Sequence, residues 1–521
     1  MSERKSEEPT VVVKLFVDKE RSQVLFAESG TEFVDVLFSF LTMPLGTIVR
    51  LLSKHSKVGC LNEVYKSVED LSTDYFQTKA CKTMLLRPLN AAADLCDKLK
   101  VKIDTNPRAV YACRDTNCGS SDCTVSLVFG SICKCGKVME YIGEWPQDPD
   151  DTAAAGSNGV FVKECLKFII TDDLQIAPAS TSLMFSLLDQ YGLQDPSFLE
   201  QKIVQLNSDK ITSLLKRSLT TKQVLTGYYF NAPSINYDSY LYELPENLYS
   251  KQAFVHTELN NMKIIVVQTK DNLSLLYAEV GIDFIRLLFG LLSIPLGSII
   301  RTYGKMSTNG CVDSIYRSID GSAKGYMNPE HLTLLQSPNV APFYGSGASN
   351  MLQAKEAFPR QKHINACFKC FKIYGFSCHA RCEEEVPSIF KLKPTVVRYN
   401  NCKVWSASPN CNYRPCSAKL REVDPKLPRG GSHISVGFVK QGVQKFMVTD
   451  DLRVLPLSLT STFQVVSESK IPSNDLVERE ITLTKVQVME LLRAAVVTRN
   501  TLSSVLLPPR KKLHRLSSSL C

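Results

Sequence analysis

Hydrophobic positions along this chain gather in short runs, and the runs predict β-hairpins separated by short helices. "KLFVDKERSQVLFAES" (Lys14 to Ser29) places two β-favouring runs around a charged turn, the pattern of a hairpin. "FIITDDLQIAP" (Phe168 to Pro178) repeats the device around Asp172 and Asp173, a residue type that tolerates tight turns. Between them Phe33, Val36, Leu37 and Phe40 fall at helical spacing, and a second helix is expected to begin at Pro44. Proline in a first turn forfeits no helical hydrogen bond, and Thr42, like Ser293 later, is placed to accept from the exposed amides.

The same pattern then returns. "LFSFLTMPLGTIVRLL" (Leu37 to Leu52) is answered by "LFGLLSIPLGSIIRTY" (Leu288 to Tyr303). At one offset of 251 residues, Glu28 pairs with Glu279, Pro44-Leu45-Gly46 with Pro295-Leu296-Gly297, Arg50 with Arg301, Gly59-Cys60 with Gly310-Cys311, and Tyr65 with Tyr316. "FVKECLKFIITDDLQIAP" (Phe161 to Pro178) returns as "FVKQGVQKFMVTDDLRVLP" (Phe438 to Pro456), and "LLKRSLTTKQVL" (Leu214 to Leu225) as "LLRAAVVTRNTL" (Leu491 to Leu502). Matches at fixed offsets over such lengths read as a tandem duplication with a longer, more divergent middle in the second copy. The expected organisation is a flexible N-terminus (1–10), a first repeat (11–230), a linker (231–260), a second repeat (261–507) and a basic flexible tail (508–521). Pro-Leu-Gly marks a helix-helix corner, with Gly46 and Gly297 allowing a near backbone approach, since glycine within a helix otherwise costs about 1 kcal/mol. Phe33 to Val49 is about long enough to span a membrane, but Asp35, Arg286, Pro44 and Pro295 make each stretch two short buried helices instead.

Composition adds little that is specific. The 521 residues exceed what one hydrophobic core organises, and 44% hydrophobic with 22% charged residues is ordinary for globular chains. A net charge of +9 is spread out, which disfavours nucleic acid as a partner, and "PPRKKLHR" (Pro508 to Arg515) reads as a nuclear import signal or a basic terminus. "MSERKSEEPT" lacks the apolar core of a secretory signal, so the cytoplasm or the nucleus is the expected location.

In a reducing compartment, 18 cysteines point to thiols or metal ligands before disulfides. "YACRDTNCGSSDCTVSLVFGSICKCGK" brings Cys113, Cys118, Cys133 and Cys135 from two short loops, with Cys123 as a spare; four thiolates are the tetrahedral set of a structural zinc ion. The spacing is irregular, with four residues inside the first pair and one inside the second. In the second repeat Cys367 and Cys370 with Cys411 and Cys416 repeat the two-loop layout, and a local quartet through Cys378 and Cys382 is the rival.

The runs quoted above, together with "CKCGK" at Cys133 to Lys137 and "GFVKQGVQKFMVTDDLRVLPLSLTS" in the second repeat, resemble the plant family called domain of unknown function 674. The resemblance covers nearly the whole chain. It implies a land-plant protein, often with tandem copies, and supplies no catalytic residues to carry across.

The duplication also tests for an active site, because one inherited by both repeats should occur twice. None of the seven histidines has a histidine at its equivalent position, and Asp35 is matched by Arg286. The polar residues that do recur, Glu28, Glu32, Arg50 and Asp172-Asp173, suit helix ends, ion pairs and hairpin turns. Glu28 and Glu32 on adjacent helical turns would form an acid pair. The reading is an α+β protein, a tandem duplication of a unit of β-hairpins and short helices with a cysteine-rich, zinc-binding insert. Its expected function is non-catalytic binding or scaffolding with a protein partner. The alternatives are an enzyme acting on a small molecule between the repeats and a nucleic-acid binder using the cysteine-rich loops, for which Arg114, Lys134 and Lys137 are few.

Overall fold

The computed structural model describes residues 8–104, 109–113, 122–144, 159–163, 167–193, 199–231, 262–272, 274–304, 310–359, 361–367, 372–374, 416–428 and 437–507. The tail, the first seven residues and all but the first residue of the expected linker lie outside them.

The first half contributes strands β1 (Val11–Asp18), β2 (Gln23–Ser29), β3 (Ala109–Ala112), β4 (Asp122–Ser126), β5 (Tyr141–Glu144), β6 (Phe168–Thr171), β7 (Ile176–Pro178) and β8 (Leu199–Leu206). The second contributes β9 (Met262–Thr269), β10 (Leu275–Val280), β11 (Gln361–Cys367), β12 (Lys372–Tyr374), β13 (Cys416–Glu422), β14 (Phe446–Thr449), β15 (Val454–Pro456) and β16 (Leu476–Leu483). With the helices between them, these make an α+β fold. Both hairpins expected in each half form, as β1/β2 with β6/β7 and as β9/β10 with β14/β15.

Each half builds a five-stranded antiparallel sheet, in the order β7-β6-β2-β1-β8 and β15-β14-β10-β9-β16. Strand β1 shows why: Val11, Val13, Leu15 and Val17 alternate along it and all are buried on the inner face, as a two-residue period requires. The outer face carries a helix, Thr181–Gln190 in the first half and Leu459–Ser469 in the second. Ser180 and Ser458 cap these helices by accepting the amides of Leu183 and Ser461. Leu187 and Leu188 pack on Leu25, Phe26 and Ile169, and Val465 on Val267, Tyr277 and Met447.

The Pro-Leu-Gly segments meet each other. Pro44 and Pro295 form an isolated antiparallel bridge in which Leu45 N donates to Ile294 O (2.9 Å) and Leu296 N donates to Met43 O (2.9 Å). This corrects the expected capping. The helices run Leu45–Leu51 and Leu296–Tyr303, each proline is itself the capping residue, and the first amide is satisfied by a carbonyl of the opposite half. The hydroxyls of Thr42 and Ser293 instead donate backwards, to Ser39 O (2.9 Å) and Gly290 O (2.7 Å). The near approach expected at the glycines is real: a Cβ on Gly46 would lie 3.0 Å from Leu292 O, and one on Gly297 3.0 Å from Leu41 O.

Other contacts between the halves also come in matched pairs. Cys60 N donates to Ala495 O (2.9 Å) and Cys311 N to Ser218 O (2.7 Å). Ser67 Oγ accepts from Val454 N (2.8 Å), and Ser318 Oγ from Ile176 N (2.9 Å). Gln77 N donates to Phe438 O (2.9 Å) and Asn328 N to Phe161 O (2.8 Å). One continuous apolar cluster accordingly contains Phe33, Leu41 and Val64 from one half with Phe284, Leu292 and Ile315 from the other. Among the described residues no helix is long and apolar enough to cross a membrane.

The third sheet breaks the matching. Its order is β12-β11-β13-β4-β3-β5, and β4 and β13, one from each half, run parallel at its centre. The first half reaches that centre with the second of its three strands and the second half with the third.

Candidate metal centre

The third sheet positions the first cysteine cluster. Cys113 follows β3 directly, and Cys133 and Cys135 lie on a narrow loop closed by the Ile132/Val138 bridge. Within it Gly136 N donates to Cys133 O (2.8 Å), Cys133 N to Lys137 O (2.9 Å) and Met139 N to Ser131 O (2.9 Å). Gly136 has φ +83°, a left-handed conformation that glycine adopts without a Cβ clash, so the chain reverses immediately after the second thiol. Ser131 Oγ anchors the base of the loop on Val128 O (2.8 Å).

This folding brings Cys113, Cys133 and Cys135 together, with their sulfurs all within 4.8 Å of one another and Cys113 Sγ 3.5 Å from Cys135 Sγ. Tetrahedral thiolates around zinc at about 2.3 Å stand roughly 3.8 Å apart, whereas a disulfide requires about 2.05 Å. The three can hold a metal ion. Cys113 and Cys133 are buried and Cys135 is half-buried, with Met139, Tyr111 and Val423 around them. Thr124 Oγ1 lies 3.9 Å from Cys133 Sγ, and the ring of Tyr111 meets Phe129 edge-on at 5.5 Å. Val423 belongs to the second half and is tied in by donating its amide to Val125 O (2.9 Å). Nothing in the sequence pattern pointed to Val423.

Of the remaining expected ligands, Cys118, Cys370 and Cys411 lie outside the described residues, as do Cys378 and Cys382 of the rival quartet. Cys367 and Cys416 are described in backbone only, at the end of β11 and the start of β13. The scattered Cys60, Cys81 and Cys311 are buried thiols whose burial pushes their pKa up, for Cys60 to about 12, so they pack as neutral groups.

The recurring polar residues hold the framework. Glu28 lies in β2 opposite Lys14, at 3.9 Å, while Glu32 stands in the first turn of the helix Thr31–Ser39 and pairs with Lys100 at 2.8 Å. They therefore do not occupy successive turns of one helix, because the strand runs on through Glu28 to Ser29. Arg50 pairs with Asp104 (2.7 Å), whereas Arg301 donates to Leu352 O (2.9 Å) and Gln353 O (2.8 Å). The aspartate pairs do turn the hairpins, and they do more. Asp172 accepts from Thr226 N (2.8 Å) and Oγ1 (2.7 Å), and Asp450 from Ser503 N (2.7 Å) and Oγ (2.6 Å). Each thus fastens the last described helix of its half, Val224–Tyr229 or Thr501–Leu506, to the hairpin.

Fold and centre together define an α+β chain of two like-ordered sheets bridged by a third that carries a thiol cluster. The model of a family described as protein of unknown function (DUF674) matches residues 7–486, and the chain belongs to that family. Neither the curated proteins nor the solved structures contain a match.

Proposed function

We propose that this is a non-catalytic binding or scaffold protein in which Cys113, Cys133 and Cys135 hold a structural zinc ion, and that its partner is another protein. The observation that carries the reading is the convergence of three sulfurs, two of them buried, from separate loops onto one point. Soft thiolates suit zinc above harder cations, and three of them leave one tetrahedral position for a fourth ligand, for which Cys118 is the candidate; a zinc closed by four protein ligands does structural work. The scaffold reading is supported by the recurring carboxylates and guanidiniums, which are engaged in backbone hydrogen bonds and ion pairs of the framework.

Mass spectrometry under native and denaturing conditions tests the zinc. The wild-type chain is expected to carry one more zinc than the Cys133→Ser and Cys135→Ser variants, and chelation is expected to lower its melting temperature. A metal-free chain whose melting is unaffected by chelator would end the zinc proposal.

A further inference from the structure

Outside the third sheet, the contacts that join the halves include a set in which each is made twice, with the roles exchanged. Helix Leu45–Leu51 takes its first amide's acceptor from Ile294, and helix Leu296–Tyr303 takes its own from Met43. The Gly59-Cys60 corner rests on Ala495, and the Gly310-Cys311 corner rests on Ser218 and Leu219. Ser67 holds the β15 strand of the other half, and Ser318 holds β7. The segment at Phe438 pairs with Tyr75 to Gln77, and that at Phe161 with Tyr326 to Asn328. A surface that contacts its own equivalent so that residue i meets j and j meets i is an isologous interface, the kind a two-fold homodimer makes.

We infer that the chain is a homodimer joined into one polypeptide: the surface each half buries is built to bind a second copy of the same unit, and each half needs that copy to complete its core. Two observations extend the symmetry argument to folding. The shared apolar cluster is continuous through the Pro44/Pro295 bridge, so separation would expose Leu41, Leu45, Leu292 and Leu296, all buried. Separation would also strip the acceptors from two helix starts, because the carbonyls that satisfy them belong to the opposite half. Obligate dimers show this combination of a core-like interface and protomers that are unstable alone.

The test uses the full chain with a protease site inserted between residues 231 and 262 and cut after folding. The two fragments are expected to co-elute as a 1:1 complex in native buffer and to melt in one transition. A tenfold dilution should lower the melting midpoint of the cut protein and leave that of the uncut chain unchanged. After denaturation, both fragments together should regain the native spectrum and neither alone should. Fragments that separate as folded monomers, or two independent melting transitions in the cut or uncut chain, would overturn the inference. Association of the fragments is compared at one fixed metal content, whereas the zinc reading is tested by counting metal, so failure here and failure of the zinc reading are distinguishable.

Discussion

At one equivalent position the two halves do the same work with opposite charges. Asp35 accepts the amides of Val160 (2.7 Å), Phe161 (2.7 Å) and Val162 (3.0 Å), whereas Arg286 donates through Nε (3.1 Å) and Nη2 (2.8 Å) to Val439 O. Val162 and Val439 are counterparts in the matching segments. One half therefore grips this segment by its N–H groups and the other by a carbonyl. Asp35 and Arg286 differ in identity, and identity is the wrong quantity for judging a shared role here. The position and the task recur while the polarity is set by which backbone groups the segment turns toward the helix.

The strongest way to break the equivalence is at the glycine corners, where both halves meet backbone. A Cβ on Gly59 would lie 2.3 Å from Ala495 O, and the residue has φ +46°. Clash and left-handed strain together should make Gly59→Ala cost about 4 kcal/mol. On Gly310 the Cβ would lie 2.7 Å from Leu219 O, so Gly310→Ala should cost about 2 kcal/mol, from the clash alone. Urea unfolding of the two variants measures both, and a neutral Gly59→Ala would show that the interface yields at this point.

Removing the grips separates the halves by polarity. Asp35→Ala leaves three amides without their acceptor and is expected to cost about 3 kcal/mol; Arg286→Ala strands one carbonyl beside a partly exposed side chain and should cost about 1 kcal/mol. Exchange is the sharper experiment. Asp35→Arg would point donors at donors, so it should unfold more readily than Asp35→Ala, and equal stability of the two would refute the assignment.

The same asymmetry sets a pH dependence. Burial pushes the carboxyls of Asp35, Asp172 and Asp450 up to about 6 from 3.8, against the opposing pull of their hydrogen bonds. Between those values the native chain binds more protons than the unfolded one, so the unfolding free energy falls as pH rises from about 4 to about 6 and levels off above. Each group contributes about 2 kcal/mol across that window. Asp172 and Asp450 supply matching shares from the two halves, while Asp35 has only an arginine opposite it. Unfolding midpoints at pH 5 and pH 7 should therefore differ less in Asp35→Asn than in the wild type, and an unchanged difference would remove Asp35 from the account.

What the sequence disclosed follows the range of the interaction concerned. The hairpins, the helices at Pro44 and Pro295 and the paired aspartate turns rest on residues close to one another along the chain, and all of them form. Strands β8 and β16 were missed because they are edge strands with little buried along them; Leu206 and Leu483 are their only fully covered residues. The parallel pairing of β4 with β13 joins stretches almost three hundred residues apart, and no local signal announces it. The capping of each helix by the other half is invisible for the same reason, since a backbone carbonyl has no sequence signature. At the thiol cluster, the cysteine-rich run contains the three residues whose sulfurs converge. Their convergence depended on β3 and the 132–138 loop meeting in a sheet, and so did the contribution of Val423.

The smallest effect offers the cleanest check that the halves are equivalent where residue and role both recur. Tyr65 donates its hydroxyl to Leu86 O (2.8 Å) and Tyr316 donates to Gln336 O (2.8 Å), each joining the middle of one helix to the end of the next. In both, burial raises the phenol's pKa, so each remains a neutral donor at physiological pH. Tyr65→Phe and Tyr316→Phe keep the ring and delete only the hydrogen bond, and each should cost about 1 kcal/mol. If the halves unfold as one unit, these costs add in the double variant, because the two bonds share no partner, and every probe reports the same midpoint. Unequal costs at two sites of identical geometry would mean that the halves carry different local stabilities beneath their matching contacts.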